Sequence, residues 1–400
     1  MEKEKTFLME ILKNFIHKKK VSGLPNVSMK CLFNLSVEQN VSGIVFYMLS
    51  SLMENRKDTQ DYKNFQEQYI ATVYSSDVKN IEKEAFSNEL ENAGIPYAFF
   101  KGAELRELYP VPELRTMGDI DVLVHKENME QVGEILRTLG YEKTDSGISV
   151  WTYRKGSVSY EVHSSLVSKL YWNKVDYESY FLKLFNKWKL AGTDRSSRRY
   201  FSAEDHFIFL CFHLAKHLSD SGAGIRMFMD IALYLMTYQK KMDWSYIRQE
   251  CEKIGLAVFM QKILFVCGKW FQIDILYKTK QVDPVTLDQL KEYVLAGGIF
   301  GFERDESLRR LRKGIKNPSS SNSMAIKIRA LWKIAFPDRK HMADFMPDVV
   351  SHPILLPAAW CRRWKLGLQN RWKMKAAVHN MNANVDEAKA QYMLLKKVGL

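Results

Sequence analysis

Two aspartates, Asp119 and Asp121, stand with one residue between them at the start of an apolar run, Val122 to Val124. If this run is a strand, alternate side chains face the same way, so both carboxylates project together while Ile120 faces the core. Two such carboxylates repel each other unless a cation lies between them, and hard oxygen ligands suit Mg²⁺. The spacing therefore predicts a metal site. Because the pattern is short, the alternative is a solvated turn at the start of the strand.

A third acid, Glu161, lies in the run Val158 to His163, whose β-forming residues predict another strand. A carboxylate within such a strand is costly to bury without a partner. If this strand lies beside the aspartates, three carboxylates with two metal ions would form a phosphoryl-transfer site. Glu161 is then a metal ligand or a general base; the alternative is an exposed position on an edge strand. His163 shares its strand face and is expected to be its partner or a base.

A lysine and a glycine, Lys101 and Gly102, follow the buried strand predicted over Tyr97 to Phe100 and open a helix predicted over Gly102 to Leu108. The first N–H groups of a helix bind phosphate, and glycine allows close approach. We expect Lys101 and Gly102 to bind the phosphates of a nucleotide. Arg115 is expected to orient the aspartate strand or to meet the triphosphate.

The segment that positions these residues alternates between strand and helix. Strands are predicted over 97–100, 120–124, 141–143, 150–154 and 158–163, with a helix over 128–139 that Gly140 ends. This order predicts an α+β fold, with a small mixed sheet flanked by N-terminal and C-terminal helical regions. The expected domains are an N-terminal helical region over 1–93, the catalytic core over 94–175, a helical domain over 176–317 and a basic, Trp-rich tail over 318–400.

Three histidines, His206, His213 and His217, share one face of a helix predicted over Ala203 to Leu218. A zinc site would need further ligands, so we expect these side chains to line the cleft or to be hydrogen-bonded in the core. Arg226 and Asp230 stand four residues apart on the next helix. They can form an ion pair with each other or a polar wall facing the substrate.

The ordered combination of motifs resembles a family of nucleotidyltransferases in the DNA polymerase beta-like superfamily. Its pattern is K-G-x-x-L, then R-x-x-x-D-x-D-x-L-V, then E-x-H. This chain supplies Lys101, Gly102, Leu105, Arg115, Asp119, Asp121, Leu123, Val124, Glu161 and His163. Its H-x-x-x-H and R-x-x-x-D helices are matched by His213, His217, Arg226 and Asp230. Later steps are matched at Trp244, Phe336-Pro337 and Leu356-Pro357.

The resemblance implies a metal-dependent enzyme that transfers a nucleoside monophosphate from an NTP such as ATP to a hydroxyl. It implies two Mg²⁺ ions held by Asp119, Asp121 and Glu161. It also places His163, His213, His217, Arg226 and Asp230 near the substrate. Many members of the superfamily carry Gly-Ser in the phosphate loop, where this chain has Lys101-Gly102. The acceptor varies widely within the superfamily, so the fold does not fix it.

The composition is that of a globular protein, with 46% hydrophobic and 26% charged residues, which argues against disorder. The five cysteines are scattered, with no CxxC pair, which favours the reducing cytoplasm. The first residues mix acids and bases, unlike a signal peptide. The apolar run 353–361 is too short to span a bilayer.

A net charge of +13 suits an anionic partner, but much of the uninterrupted basic charge lies in the run 362–375, where tryptophans are interleaved. This run predicts either single-stranded nucleic-acid binding or a solvated helix with its tryptophans packed inward. Only Arg106, Arg115 and Lys126 lie near the aspartates, enough for one triphosphate. We therefore expect a small-molecule acceptor. The alternatives are a tRNA-modifying, toxin-like transferase, a phosphotransferase and a catalytically silent binding protein.

Overall fold

The structure is a computed structural model that describes residues 1–167, 171–172, 175–190, 196–298, 308, 311–312, 315, 323–342, 346–349, 351–369 and 385–400. The chain forms two compact units. The first comprises Met1–Lys216 and Gly224–Val282, and the second comprises the described residues of His217–Ala223 and Asp283–Leu400. The serine-rich run 318–323 predicts a linker, and all of it except Ser323 lies outside the described residues. No helix in the described part of the chain combines the length and apolar character needed to cross a membrane.

The first unit begins with helices and continues into a sheet with further helices. Its α-helices are α1 (Glu2–Ile16), α2 (Met29–Glu38), α3 (Ser42–Leu49), α4 (Gln60–Asn92), α5 (Gly102–Leu105), α6 (Met129–Thr138), α7 (Tyr177–Phe185), α8 (Ala203–Ser219), α9 (Ile225–Tyr238), α10 (Trp244–Lys253) and α11 (Ala257–Phe271). Its strands are β1 (Tyr97–Phe99), β2 (Ile120–Val124), β3 (Glu142–Ser146), β4 (Val150–Lys155), β5 (Val158–His163), β6 (Tyr171–Trp172), β7 (Val175–Asp176), β8 (Lys189–Leu190) and β9 (Arg199–Tyr200). Short 3₁₀ helices include Arg106–Leu108 and Pro112–Leu114.

The main sheet has five strands in the order β1-β2-β5-β4-β3. β1 runs antiparallel to β2, β2 runs parallel to β5, and β5, β4 and β3 form an antiparallel meander. Gly156 has a positive φ of 57°, which the tight turn between β4 and β5 requires and glycine adopts without strain. The parallel pairing places the two strands that carry the predicted acids side by side.

The two faces of the sheet differ because side chains alternate along each strand. Ile120, Val122, Tyr160 and Val162 are fully buried and form one core with Phe86 and Leu90 of α4 and with residues of α6. The intervening residues, Asp121, Glu161 and His163, therefore face the opposite side. The mixed sheet flanked by helices confirms the predicted α+β fold class.

The second unit contains the helices α12 (Pro284–Gly297), α13 (Ser323–Ala335), α14 (Arg339–Met342), α15 (Leu356–Gln369) and α16 (Val385–Val398). Apolar clusters hold its described elements together, one of which includes Ile326 and Ala330 of α13 with Val385 and Ala388 of α16. Arg312 is buried and donates hydrogen bonds to the hydroxyl of Tyr293 and the carboxamide of Gln391.

Candidate active site

The predicted acids meet on the face of the sheet opposite the core. Across the parallel pair β2 and β5, Asp121 stands directly opposite Glu161. Asp121, Glu161 and His163 each offer a ligand atom, and among the described residues these atoms all lie within 4.8 Å of one another. β5 lies between β2 and β4, so Glu161 is on an inner strand and not at an edge.

A lysine ammonium and an imidazole approach the carboxylate of Asp121. Lys101 Nζ lies 2.6 Å from Asp121 Oδ1, and His163 Nε2 lies 2.9 Å from the same oxygen. Burial alone would raise the pKa of Asp121, but Lys101 and His163 outweigh it and lower that pKa. Burial would lower the pKa of His163, but its hydrogen bonds with Asp121 and Glu161 raise that pKa overall. The ionised form of Asp121 is therefore favoured by its contacts with Lys101 and His163.

Asp119 lies in the bend immediately before β2 and is half-buried. Burial, together with the charges of Asp121 and Glu161, raises the pKa of its carboxyl to about 6. Negative charge is thus in excess on this side of the cluster, which a bound cation would relieve. Carboxylate oxygens are the ligands that Mg²⁺ prefers, whereas imidazole suits softer metals. Asp119, Asp121 and Glu161 therefore fit the Mg²⁺ that the sequence predicts, with His163 as their hydrogen-bonding neighbour.

The backbone around Lys101 is unusual. Lys101 has a φ of 52°, in the left-handed region that residues with a side chain rarely adopt. The predicted helix after it is an α-helix only over α5 and continues as the 3₁₀ helix Arg106–Leu108. A Cβ at Gly102 would overlap the guanidinium of Arg115. The absence of a side chain at Gly102 therefore allows Arg115 to pack closely against it.

Arg115 is buried against a helix far along the chain. Its Nε donates to Asp230 Oδ1 at 3.2 Å and its Nη2 donates to Asp230 Oδ2 at 2.7 Å. The hydroxyl of Tyr109 donates to Asp230 Oδ1 at 2.7 Å. Burial would lower the pKa of Arg115, but the charge of Asp230 outweighs it. This cluster fixes the segment that leads into Asp119 against α9.

Arg226 and Asp230 have different partners, so the pair that their spacing allowed does not form. Arg226 Nη1 donates to both the carbonyl and the hydroxyl of Thr116. Burial lowers the pKa of Arg226 to about 10, and the nearby charge of Arg115 acts in the same direction. Arg226 thus holds the same segment as Asp230, one residue further along.

Two residues of this neighbourhood escaped the sequence reasoning. Tyr109 binds Asp230, and Lys79 of α4 donates from Nζ to the carbonyl of Met117. Lys79 is only 7% exposed, whereas Lys63 of the same helix is exposed, as lysines usually are. Only the tertiary structure brings it beside the aspartates, since nothing in its local sequence marks it.

The three histidines of α8 have different environments. His206 is buried, and burial lowers its pKa to about 4. His213 stacks on Phe209, which contacts Phe100, which in turn contacts His163 with ring centroids 5.0 Å apart. His217 belongs to the second unit. Among the described residues, none of the three is in the group of atoms that could hold a metal, which disfavours the zinc alternative.

The described part of the basic tail is helical. Trp360 and Trp364 of α15 both pack against Phe336, and their indole nitrogens donate to the carbonyls of Pro337 and Ala335. Trp372, Arg371, Lys373 and Lys375 lie outside the described residues. These contacts favour the inward-packed alternative for Trp360, which is half-buried, whereas Trp364 is 36% exposed.

A small mixed sheet with carboxylates on two adjacent parallel strands, set among helices, agrees with the nucleotidyltransferase fold that the sequence predicts. The chain belongs to the family described as "Uncharacterised nucleotidyltransferase", whose sequence profile matches residues 25–272. This result confirms the resemblance seen in the sequence. Comparisons with curated proteins and with solved structures gave no significant match.

Proposed function

We propose that this protein is a Mg²⁺-dependent nucleotidyltransferase that moves a nucleoside monophosphate from an NTP to a hydroxyl of a small acceptor. The observation that carries the proposal is the convergence of Asp121, Glu161 and His163 across β2 and β5, with Asp119 beside them. Asp119, Asp121 and Glu161 would hold two metal ions. Bound there, the ions would neutralise the triphosphate and lower the pKa of the acceptor hydroxyl.

In this reaction the acceptor oxygen forms a bond to the α-phosphorus of the NTP. The bond from that phosphorus to the oxygen bridging the α and β phosphates breaks, and pyrophosphate leaves with the electron pair. We assign the acceptor's proton to Glu161, because its side chain is 32% exposed whereas those of Asp121 and His163 are 5% and 8% exposed. His163 Nε2, 3.3 Å from Glu161 Oε2, positions this carboxylate.

The remaining polar residues position the reactants. Lys101, whose ammonium already neutralises Asp121, supplies positive charge for the phosphates. Arg115 and Asp230 act through the backbone, because both are buried and bound to each other. His213 is assigned to the acceptor side of the site, since its stacking on Phe209 extends the aromatic contacts of His163.

The experiment is a screen with ATP, GTP, CTP and UTP labelled at either the α or the γ phosphorus. Acceptors are a small-metabolite extract and total RNA, with Mg²⁺ added or removed by a chelator. We expect transfer of the α label to a small molecule with pyrophosphate release. Asp121→Asn should abolish this transfer, while Asp145→Asn, an exposed aspartate on β3, should retain it.

Other outcomes contradict particular parts of the proposal. Transfer of the γ label without pyrophosphate would indicate phosphorylation. Transfer of the α label to RNA would overturn the small acceptor but keep the chemistry. NTP binding without transfer from any nucleotide would indicate a binding protein that retains the fold.

A further inference from the structure

A polar cavity of about 220 Å³ lies within the first unit, between α4 and the segment that leads into Asp119. One face of α4 lines it with residues spaced by three or four positions, and Thr116 closes the other side. The residues that line it include Gln68, Thr72, Ser75, Ser76, Lys79 and Thr116. No aspartate or glutamate is among the described residues that line it. Its size suits a small metabolite or one end of a larger one, because drug-sized ligands occupy about 300–1,000 Å³.

Ser76 indicates that the cavity is built to receive a polar ligand. Its side chain is 6% exposed and lines the cavity, and its Oγ has no hydrogen-bond partner within the described part of the chain. Buried hydroxyls are nearly always hydrogen-bonded. Because Ser76 belongs to the cavity wall, a polar ligand in the cavity could supply the missing partner once the side chain turns toward it. Neighbouring Ser75 adds a second hydroxyl to the same wall.

Lys79 gives the cavity its charge. Lys79 is 7% exposed, and its ammonium donates to the carbonyl of Met117, which uses one of its three hydrogens. Within the described residues no carboxylate forms an ion pair with it. Burial lowers the pKa of Lys79, and the charge of Asp119 opposes this effect. A buried lysine with free donors and no ion pair is stabilised by an anion.

The cavity adjoins the segment before Asp119 and is separate from the lysine assigned to the nucleotide. Met117, which lines it, is two residues before Asp119, and Asp119 acts electrostatically on Lys79. The ammonium of Lys101 instead contacts the carboxylate of Asp121, on the face of the sheet that we assign to the triphosphate. A ligand in the cavity would therefore approach the metal site from the side of Asp119.

We propose that this cavity binds the anionic group, a phosphate or a carboxylate, of a small hydroxylated acceptor. Lys79 would neutralise that group, and Ser75, Ser76, Gln68 and Thr72 would donate hydrogen bonds to it or to adjacent hydroxyls. That the ligand serves as the acceptor rests on the proposed function, but its binding requires no turnover.

The test is calorimetric titration of the full chain, without metal or nucleotide, with three probes. Glycerol 3-phosphate and glycerate carry the two anionic groups, and glycerol is the neutral reference. We expect at least one anion to bind and glycerol not to bind. Lys79→Met and Ser76→Val should each weaken that binding at least tenfold. Lys83→Met is the matched control, because Lys83 is one turn further along α4, also has its pKa lowered by burial, and does not line the cavity.

Thermal melting identifies any variant that fails to fold, and the Lys79 and Ser76 variants test the cavity independently. The proposal is overturned if neither anion binds the unaltered protein, or if Lys83→Met loses as much affinity as Lys79→Met. It is also overturned if ATP displaces the anion and Lys79→Met weakens ATP binding equally, because the cavity would then belong to the nucleotide. If the anion binds through Lys79 but no NTP label is ever transferred, the anion site stands and the proposed transferase activity fails.

Discussion

The buried cluster of Arg115, Asp230 and Tyr109 makes a quantitative prediction about stability. Asp230 accepts three hydrogen bonds within it, from Arg115 Nε and Nη2 and from the hydroxyl of Tyr109. Asp230→Ala leaves a buried guanidinium and a buried hydroxyl without their acceptor. Removing one partner of a buried ion pair costs about 3–5 kcal/mol. At about 2–4 °C per kcal/mol for a domain of this size, the melting temperature should fall by about 6–20 °C.

The control is Asp243→Ala, which removes a different aspartate from the same unit. Asp243 caps α10 and accepts from the backbone N–H groups of Ser245 and Tyr246. Losing such a cap costs about 0.5–2 kcal/mol, so this variant should melt only slightly below the unaltered protein. Melting followed by circular dichroism, with urea unfolding as a second measure, compares the two.

A compensating variant tests the physical reason. Arg115→Met, Asp230→Leu and Tyr109→Phe together remove every polar group of the cluster. Because apolar residues of similar volume often replace a buried ion pair at no cost, the triple variant should regain most of the lost stability. The reasoning is refuted if Asp230→Ala melts no lower than Asp243→Ala, since the pair would then not hold the segment before β2.

Three further predictions concern the site itself. Glu161→Gln should lower the rate of nucleotidyl transfer by about 10² or more with little change in NTP binding, and an unchanged rate in single-turnover assays would remove Glu161 from the chemistry. Lys101→Ala should weaken binding of the NTP more than that of the free nucleoside, and equal losses by calorimetry would exclude a phosphate contact. The pKa of Asp119 lies at about 6, above its ordinary 3.8, so its ionisation destabilises the fold. Without metal, the free energy of unfolding should therefore decline as pH rises from about 4 to about 6 and then level off. Asp119→Asn should lack this decline. If the decline persisted in that variant, a group other than Asp119 would cause it.

The sheet was predictable because its signals are local. β2 spans Ile120–Val124 as predicted, since a β-branched run after two acids has few other stable conformations. The pairing of Glu161 with Asp121 followed from asking what could offset the cost of an acid in a strand. The residue type and the strand in which it is predicted suffice for this inference, and the sequence provides both.

The contacts that hold the site in place were not predictable in the same way. Spacing on one helix suggested that Arg226 pairs with Asp230, but Arg115 competes for that carboxylate from a segment 115 positions away. Such a choice depends on tertiary packing, which overrides an exposed i, i+4 pairing of a few tenths of a kcal/mol. The left-handed backbone of Lys101 had no signal either, because lysine has no preference for it.

The segment Arg115–Met117 is held by hydrogen bonds with residues that precede the sheet and with residues that follow it in the first unit. From the N-terminal side, Lys79 donates to the carbonyl of Met117, and the hydroxyl of Thr116 donates to the carbonyl of Asn40. From the C-terminal side, Asp230 binds Arg115 and Arg226 binds Thr116. The five strands alone are therefore not expected to keep the site in place outside this protein. A graft of residues 94–175 into another protein would carry the carboxylates without their anchors, and a working minimal fragment must extend from before Asn40 to beyond Asp230.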